Sequence, residues 1–167
     1  MDDHLRIIYN YLKQPPQDIK DSNQAQPLDK KSSLYVKGLE IYNREGYCVT
    51  CHQADGKGLE DSGFPPLEKS KWVSGSPDRL IKVILHGLYG PIEVNGKKYP
   101  GNVPMTPYST MLSDEEVAAV SNFVRNSFGN SSNFIITTEK VKAVREETKK
   151  QKGFYTPQEL LKLHPHE

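Results

Sequence analysis

Apolar residues recur at helical spacing in several stretches of this chain, and polar segments separate those stretches. Tyr35, Leu39 and Tyr42 fall on one stripe and predict a helix that begins after the cap residue Ser32. We expect this first helical segment to end at Gly46. The same spacing returns four more times toward the C-terminus.

The next helix is predicted to begin at Ser76, with Pro77 in its first turn, and to end at Gly87. The clearest helix follows Ser113, where Ser113 and Glu116 form the pattern of a capping box. This helix is predicted to end at Gly129. Its apolar stripe is formed by three valines: Val117, Val120 and Val124.

Two weaker helices are predicted near the C-terminus, over residues 138–150 and 156–163. Between the helices, Asn95-Gly96 tolerates the positive φ angles of a tight turn and predicts a small hairpin over residues 92–99. Residues 48–74 are expected to form a long loop, and a proline-rich loop follows the hairpin. The fold class is therefore all-α, or mostly α, with one hairpin.

These elements suggest three parts. Residues 1–31 read as an N-terminal extension, with a short helix over 5–13 and a polar linker over 14–32. Residues 32–130 form the expected globular domain, and residues 131–167 form a C-terminal helical extension.

Composition narrows the possible functions. Only 35% of the 167 residues are hydrophobic, and the chain has 12 prolines and 12 glycines. Such a polar, loop-rich domain needs another source of apolar contact, and a buried porphyrin would supply one. The net charge of +1 does not indicate the excess of basic residues that is typical of binding to nucleic acid or to a membrane surface. No apolar run approaches a membrane span, and the first residues do not form a signal peptide, so we expect a mature chain or an excised domain.

The only two cysteines occur in one pentapeptide, Cys48-Val49-Thr50-Cys51-His52. This pattern is the attachment signature of c-type haem, because two thiols at this spacing can reach one porphyrin edge and place the next residue at the iron. A thioredoxin-like dithiol would need a βαβ context, and a zinc site would need a fourth ligand close by. A disulfide would close too small a loop to stabilise much. We therefore expect one covalent haem, with His52 as an iron ligand.

Three residues compete for the second axial position on the iron. Met105 lies in a rigid proline-containing loop that can hold a thioether against a metal, and we favour it. Met111 immediately precedes a helix cap, where a methionine more often packs. His86 ends a helix before a glycine and is more typical of a capping or core residue.

Several motifs beyond the pentapeptide resemble the class I cytochrome c domains associated with quinoprotein and other periplasmic dehydrogenases. The similar stretch runs from about Tyr35 to Arg145 and includes Asp55-Gly56-Lys57-Gly58-Leu59, Phe64-Pro65-Pro66-Leu67, Trp72, Leu85-His86-Gly87-Leu88-Tyr89-Gly90-Pro91-Ile92 and the start of the helix after Leu112. The resemblance implies a class I cytochrome c fold with a small β-hairpin insertion and terminal extensions. It also implies that Met105 is the axial ligand, although Thr106 replaces the usual first proline after it.

The resemblance further implies a set of residues that contact the haem: Pro65, Pro66, Leu67, Trp72, Arg79 and Tyr108. A carbonyl of Pro65 or Pro66 should accept the Nδ1–H of His52. Trp72 should pack at the haem edge with its N–H near a propionate, with a simple core tryptophan as the alternative. Arg79 could also approach a propionate, but an exposed position in the first helical turn is favoured. Gly38 and Tyr42 should cross the later helix near Phe123.

The function implied by these residues and the resemblance is single-electron transfer between redox partners, without bond chemistry by the protein itself. The expected partner is a dehydrogenase, a terminal oxidase or another cytochrome. The expected location is the bacterial periplasm, where the domain is free, tethered to the membrane or part of a larger chain. A peroxidase-like enzyme and a gas sensor, each with an open sixth site, are the alternatives. Surface lysines could surround the exposed haem edge: Lys57, Lys69, Lys71, Lys97 and Lys98.

Overall fold

The structure, a computed structural model, describes residues 27–166. The predicted helix over 5–13 lies outside these residues, as does the predicted linker except for residues 27–32. The first described helix, α1 (Ser33–Tyr42), begins where Ser32 Oγ accepts a hydrogen bond from the Tyr35 N–H. It ends four residues before Gly46, because Asn43 caps it with backbone and side-chain bonds to the Leu39 carbonyl.

The predicted long loop over residues 48–74 contains regular structure and is corrected in that respect. Helix α2 (Cys48–His52) opens it, a 3₁₀ turn follows at Glu60–Ser62, and the short helix α3 (Lys71–Ser74) closes it. Each piece is shorter than two helical turns, so none carries an apolar period long enough to be recognised in a sequence.

The two central helices follow their predicted starts. Helix α4 (Pro77–His86) is capped by Ser76 and ends at Gly87, as predicted. Helix α5 (Asp114–Arg125) has the predicted capping box between Ser113 and Glu116. It ends at Arg125 rather than at Gly129 because the Asn126 side chain bonds to the Asn122 carbonyl and the chain then turns through Phe128, which has a φ of 57°. The turn places the Phe128 ring 5.3 Å from that of Tyr42 and 5.7 Å from that of Phe123.

The hairpin is also as predicted. Strands β1 (Ile92–Val94) and β2 (Lys97–Tyr99) are antiparallel, with Ile92 opposite Tyr99 and Val94 opposite Lys97. Asn95 and Gly96 turn the chain with φ angles of 53° and 78°.

The C-terminal residues pack onto the body of the protein as two helices. Helix α6 (Thr138–Glu147) places Val141 and Val144 in the main core with residues of α1, α4 and α5. Helix α7 (Pro157–Leu163) places Leu160 in a second cluster with Trp72, Val94, Tyr99 and Tyr155. The described chain is thus mostly helical with one hairpin, while the three-part division of the whole chain stays a prediction.

The contact between α1 and α5 depends on Gly38, as the sequence predicted. A Cβ at this position would lie 2.2 Å from the Ala119 carbonyl oxygen and 2.5 Å from Phe123 Cβ. Both neighbours belong to a packed helix that cannot move independently. The two helices can therefore lie this close together only because residue 38 has no side chain.

We expect Gly38→Ala to lower the free energy of unfolding by about 1–3 kcal/mol, because the added methyl group must separate the two helices. Denaturant unfolding measures the loss. Glu40→Ala on the exposed face of the same helix is the matched control and should change stability by less than about 0.5 kcal/mol. Equal stability of the two variants would contradict this account of the helix contact.

Candidate haem site

The two cysteines and the adjacent histidine lie together on the single turn of α2. Both thiols are half-buried, and they are not joined as a disulfide. Burial raises the pKa of the Cys48 thiol to about 12 and also raises the pKa of Cys51. Cys48, Cys51 and His52 all line one side of a cleft, so the arrangement presents two thiols and an imidazole to the same space.

The orientation of the His52 ring is fixed by one hydrogen bond. Its Nδ1 lies 2.9 Å from the Pro65 carbonyl oxygen, which can only accept, so Nδ1 carries the proton and Nε2 keeps its lone pair. Burial lowers the pKa of His52, against the opposing effect of this bond, and favours the neutral ring. Gly58 lets the Pro65 carbonyl come close, since a Cβ there would lie 2.7 Å from that oxygen.

The cleft has two connected lobes, with about 720 Å³ and 670 Å³ of unfilled space when their open mouths are included. The second lobe is apolar and is lined mainly by aliphatic side chains from α4, α5 and the hairpin. The residues that line both lobes form the boundary between them: Cys48, His52, Pro65, Leu88, Ile92 and Met105. Leu88 and Ile92 were not predicted as site residues, although both fall in the motif that carries the resemblance.

Met105 reaches the cleft from a loop that is bonded to the end of α4 and the residues after it. The Met105 N–H donates to the Leu88 carbonyl at 2.8 Å, and the Tyr108 N–H donates to the Ile84 carbonyl at 2.9 Å. The Met105 side chain is half-buried and lines both lobes. Its competitors for a metal lie elsewhere: Met111 is 45% exposed and lines neither lobe, and His86 Nε2 is bonded to Thr148 Oγ1 at 2.7 Å.

The family model described as cytochrome c matches residues 35–128, more than half of the chain. The chain belongs to the cytochrome c family. As a cytochrome c it carries haem c and transfers electrons. Its all-α fold with a small hairpin agrees with this membership.

This cytochrome is similar in sequence to two kinds of curated protein. It is 37% identical over 141 residues to cytochrome c-552 of Thermus thermophilus, covering 77% of this chain and 88% of that one. It is 34% identical over 153 residues to the cytochrome c subunit of a quinone alcohol dehydrogenase of Gluconacetobacter polyoxogenes, covering 87% of this chain but 31% of the relative. A fructose dehydrogenase cytochrome subunit of Gluconobacter japonicus is 31% identical over 109 residues, with 65% and 22% covered. The chain thus spans under a third of the length of these dehydrogenase subunits.

The residues around the cleft fit a haem. Two unpaired thiols lie on one side, a neutral imidazole and a thioether border both lobes, and the remaining wall is mostly apolar, as a flat tetrapyrrole requires. Among residues 27–166, no helix combines the length and apolar character that crossing a bilayer needs.

Five of the six residues that the resemblance placed at the haem line the cleft: Pro65, Pro66, Leu67, Trp72 and Tyr108. Pro65 borders both lobes, and Pro66 and Leu67 line the second lobe. Tyr108 lines the first lobe and stacks on Tyr47 with ring centroids 5.2 Å apart. Burial raises the pKa of the Tyr108 hydroxyl to about 12, so it stays protonated and can donate.

Trp72 lines the second lobe, but its polar atom is used within the protein. The indole N–H donates to the Glu93 carbonyl at 3.0 Å and ties α3 to the hairpin. Since an indole has a single N–H donor, the expectation that it bonds a propionate is corrected. The ring can contact a ligand in this lobe only through its carbon face and edge.

Arg79 is buried, and the expectation of an exposed first-turn arginine is wrong. Its guanidinium donates to the His164 carbonyl at 2.6 Å and the Lys71 carbonyl at 2.7 Å, and lies 5.1 Å from the centre of the Trp72 ring. The C-terminal residues cover the start of α4 and cause this burial. No local pattern in the sequence predicts it. Arg79 is not among the residues that line either lobe.

Proposed function

We propose that this cytochrome is a mono-haem electron carrier whose single haem is attached through Cys48 and Cys51, with His52 and Met105 as the axial iron ligands. The observation that supports this assignment is the shared position of the imidazole and the thioether, which both border the two lobes of one cleft next to the thiols. The haem supplies the single-electron change when it is bound.

The chain's own residues would hold the iron, set its reduction potential and exclude water from it. The Pro65 carbonyl holds the His52 ring in one orientation and leaves Nε2 as the ligand atom. With an imidazole as the other ligand, a thioether ligand would favour ferrous iron and raise the reduction potential, which suits a carrier. The aliphatic wall of the second lobe keeps water away from the site. Nothing in this arrangement requires the protein to make or break a substrate bond.

The electron donor in this proposal is a dehydrogenase, and the location is the periplasm. Support comes from the dehydrogenase cytochrome subunits among the relatives and from c-type haem attachment itself. The five lysines expected around the haem edge are all exposed, and one of them, Lys97, pairs with Glu60. Whether they contact a partner stays a prediction; a small, transient contact surface would suit rapid exchange.

The proposal is tested on the full chain matured in a bacterial periplasm. Intact mass under denaturing conditions should show one added haem. The ferric protein should show the long-wavelength absorption band of sulfur-ligated haem, and the ferrous protein should not bind carbon monoxide at neutral pH. An absent band together with rapid carbon monoxide binding would contradict the carrier assignment and point to an open sixth site.

A further inference from the structure

The loop that presents Met105 is held by the last turn of α4 and the residues directly after it. Apart from the local turn in which the Met111 and Leu112 N–H groups donate to the Tyr108 carbonyl, the backbone bonds that residues 101–108 make within the described chain end on residues 84–90. They run from Met105 N to Leu88 O, from Tyr108 N to Ile84 O and from Gly90 N to Gly101 O. The exposed residues of this loop are Asn102, Val103, Pro104, Thr106 and Pro107. The position of Met105 therefore depends on how firmly residues 84–90 are themselves held.

The C-terminal segment holds residues 84–90 from the opposite side. Leu88 pairs antiparallel with Met105 on one edge and parallel with Tyr155 on the other, so it is the middle of three adjacent backbones. The Tyr89 N–H donates to the Tyr155 carbonyl at 2.9 Å. A displacement of Tyr155 is thus transmitted to Met105 through a single intervening residue.

Side-chain packing couples the same three segments at Gly87. A Cβ on Gly87 would lie 2.3 Å from the Met105 carbonyl oxygen and 2.8 Å from the Phe154 ring. Both groups therefore press on one backbone position, from the ligand loop and from the C-terminal segment. Phe154 also lies over Tyr89, with ring centroids 6.2 Å apart.

Residues 154 and 155 are themselves fixed to the protein body. Tyr155 is buried in the second cluster with Trp72, Tyr99 and Leu160. Its ring meets His86 edge-on at 5.7 Å, and His86 is bonded to Thr148. The segment is therefore a rigid support rather than a loosely attached tail.

We infer that Phe154 and Tyr155 are positioning residues for the sulfur ligand: they hold Leu88 and Gly87 in place, and through them the Met105 loop. This inference rests on the proposed role of Met105 as an axial ligand. Removing the support should let the thioether leave the iron more often, without removing the haem, which is attached elsewhere through Cys48 and Cys51.

The test substitutes Phe154 in the haem-loaded full chain. Phe154 is 40% exposed, so Phe154→Ala should fold. We expect cyanide to bind the ferric protein about fivefold faster than in the parent, because cyanide enters only when the sulfur has left. The long-wavelength sulfur band should weaken in parallel. Phe154→Leu, which restores most of the volume at Gly87, should return the cyanide rate to within about twofold of the parent.

Phe134→Ala is the matched control, since Phe134 is 50% exposed, lies in the same C-terminal part of the chain and lines neither lobe of the cleft. Phe134→Ala should leave both the cyanide binding rate and the sulfur band unchanged. A parent protein without the sulfur band would overturn the ligand assignment and this inference together. A parent with the band, but with equal cyanide rates in the Phe154 and Phe134 variants, would overturn this inference alone.

Discussion

A chain in which both Cys48 and Cys51 are replaced by serine is expected to carry no covalently attached haem. The cysteine thiolate is the reactive form that makes the thioether bonds, and a serine hydroxyl is a far weaker nucleophile at neutral pH. His52 and the cleft remain, so some haem could still bind reversibly. Intact mass after denaturation distinguishes the two cases, because only covalent haem stays with the chain.

Thr50→Ser is the control for this variant, because Thr50 lies between the two cysteines on α2 with an exposed side chain. Its haem content should equal that of the parent. Each single cysteine variant should retain haem through its remaining thiol. Haem mass that survives denaturation in the double variant would show that attachment uses another residue.

The elements that the sequence predicted well are those with local signals at both ends. Helix α4 has a serine cap and a proline at its start and a glycine at its end, and the hairpin has Asn95-Gly96 at its turn. The capping box of α5 combines two side chains three residues apart. Each signal acts within one turn of backbone, so a single sequence is enough to recognise it.

The errors arise where distant parts of the chain decide the structure. Helix α5 ends before Gly129 because the chain turns at Asn126 and Phe128, and this turn packs Phe128 on Tyr42, 86 residues away in the sequence. Arg79 is buried because the His164 carbonyl accepts from it, and Trp72 loses its free N–H to the hairpin. None of these contacts leaves a trace in the local pattern of apolar and polar residues.

The residues of the candidate site also fall into two groups: those with a local sequence signal and those whose place depends on distant contacts. The thiols and His52 are contiguous, so their spacing alone predicted them. The Pro65 carbonyl was expected only through the family resemblance and as one of two prolines, and the structure distinguishes them. Leu88 and Ile92 were missed because aliphatic residues after a helix resemble ordinary core positions. Their place at the cleft follows from the pairing of Leu88 with Met105.

Met105→Ala is expected to convert the carrier into a haem protein with an open iron site. The long-wavelength sulfur band should disappear, and the ferrous form should bind carbon monoxide. The reason is that, of the other described side chains at the boundary of the lobes, only His52 and Cys48 carry a strong ligand atom. The reduction potential should fall by on the order of 0.2 V, since the thioether favours ferrous iron. Absorption spectra and redox titration measure these changes.

Met111→Ala supplies the matched control, because it makes the same substitution at a methionine that is 45% exposed and outside the cleft. It should keep the band, the potential and the resistance to carbon monoxide. If Met111→Ala abolished the band while Met105→Ala kept it, the ligand assignment would be reversed. That result would require the loop before α5 to rearrange when the haem binds, since Met111 lies in the turn closed by its own N–H on the Tyr108 carbonyl. The bond between Met105 and Leu88 requires no such rearrangement to keep Met105 at the cleft, which is why we expect the sulfur band to depend on Met105.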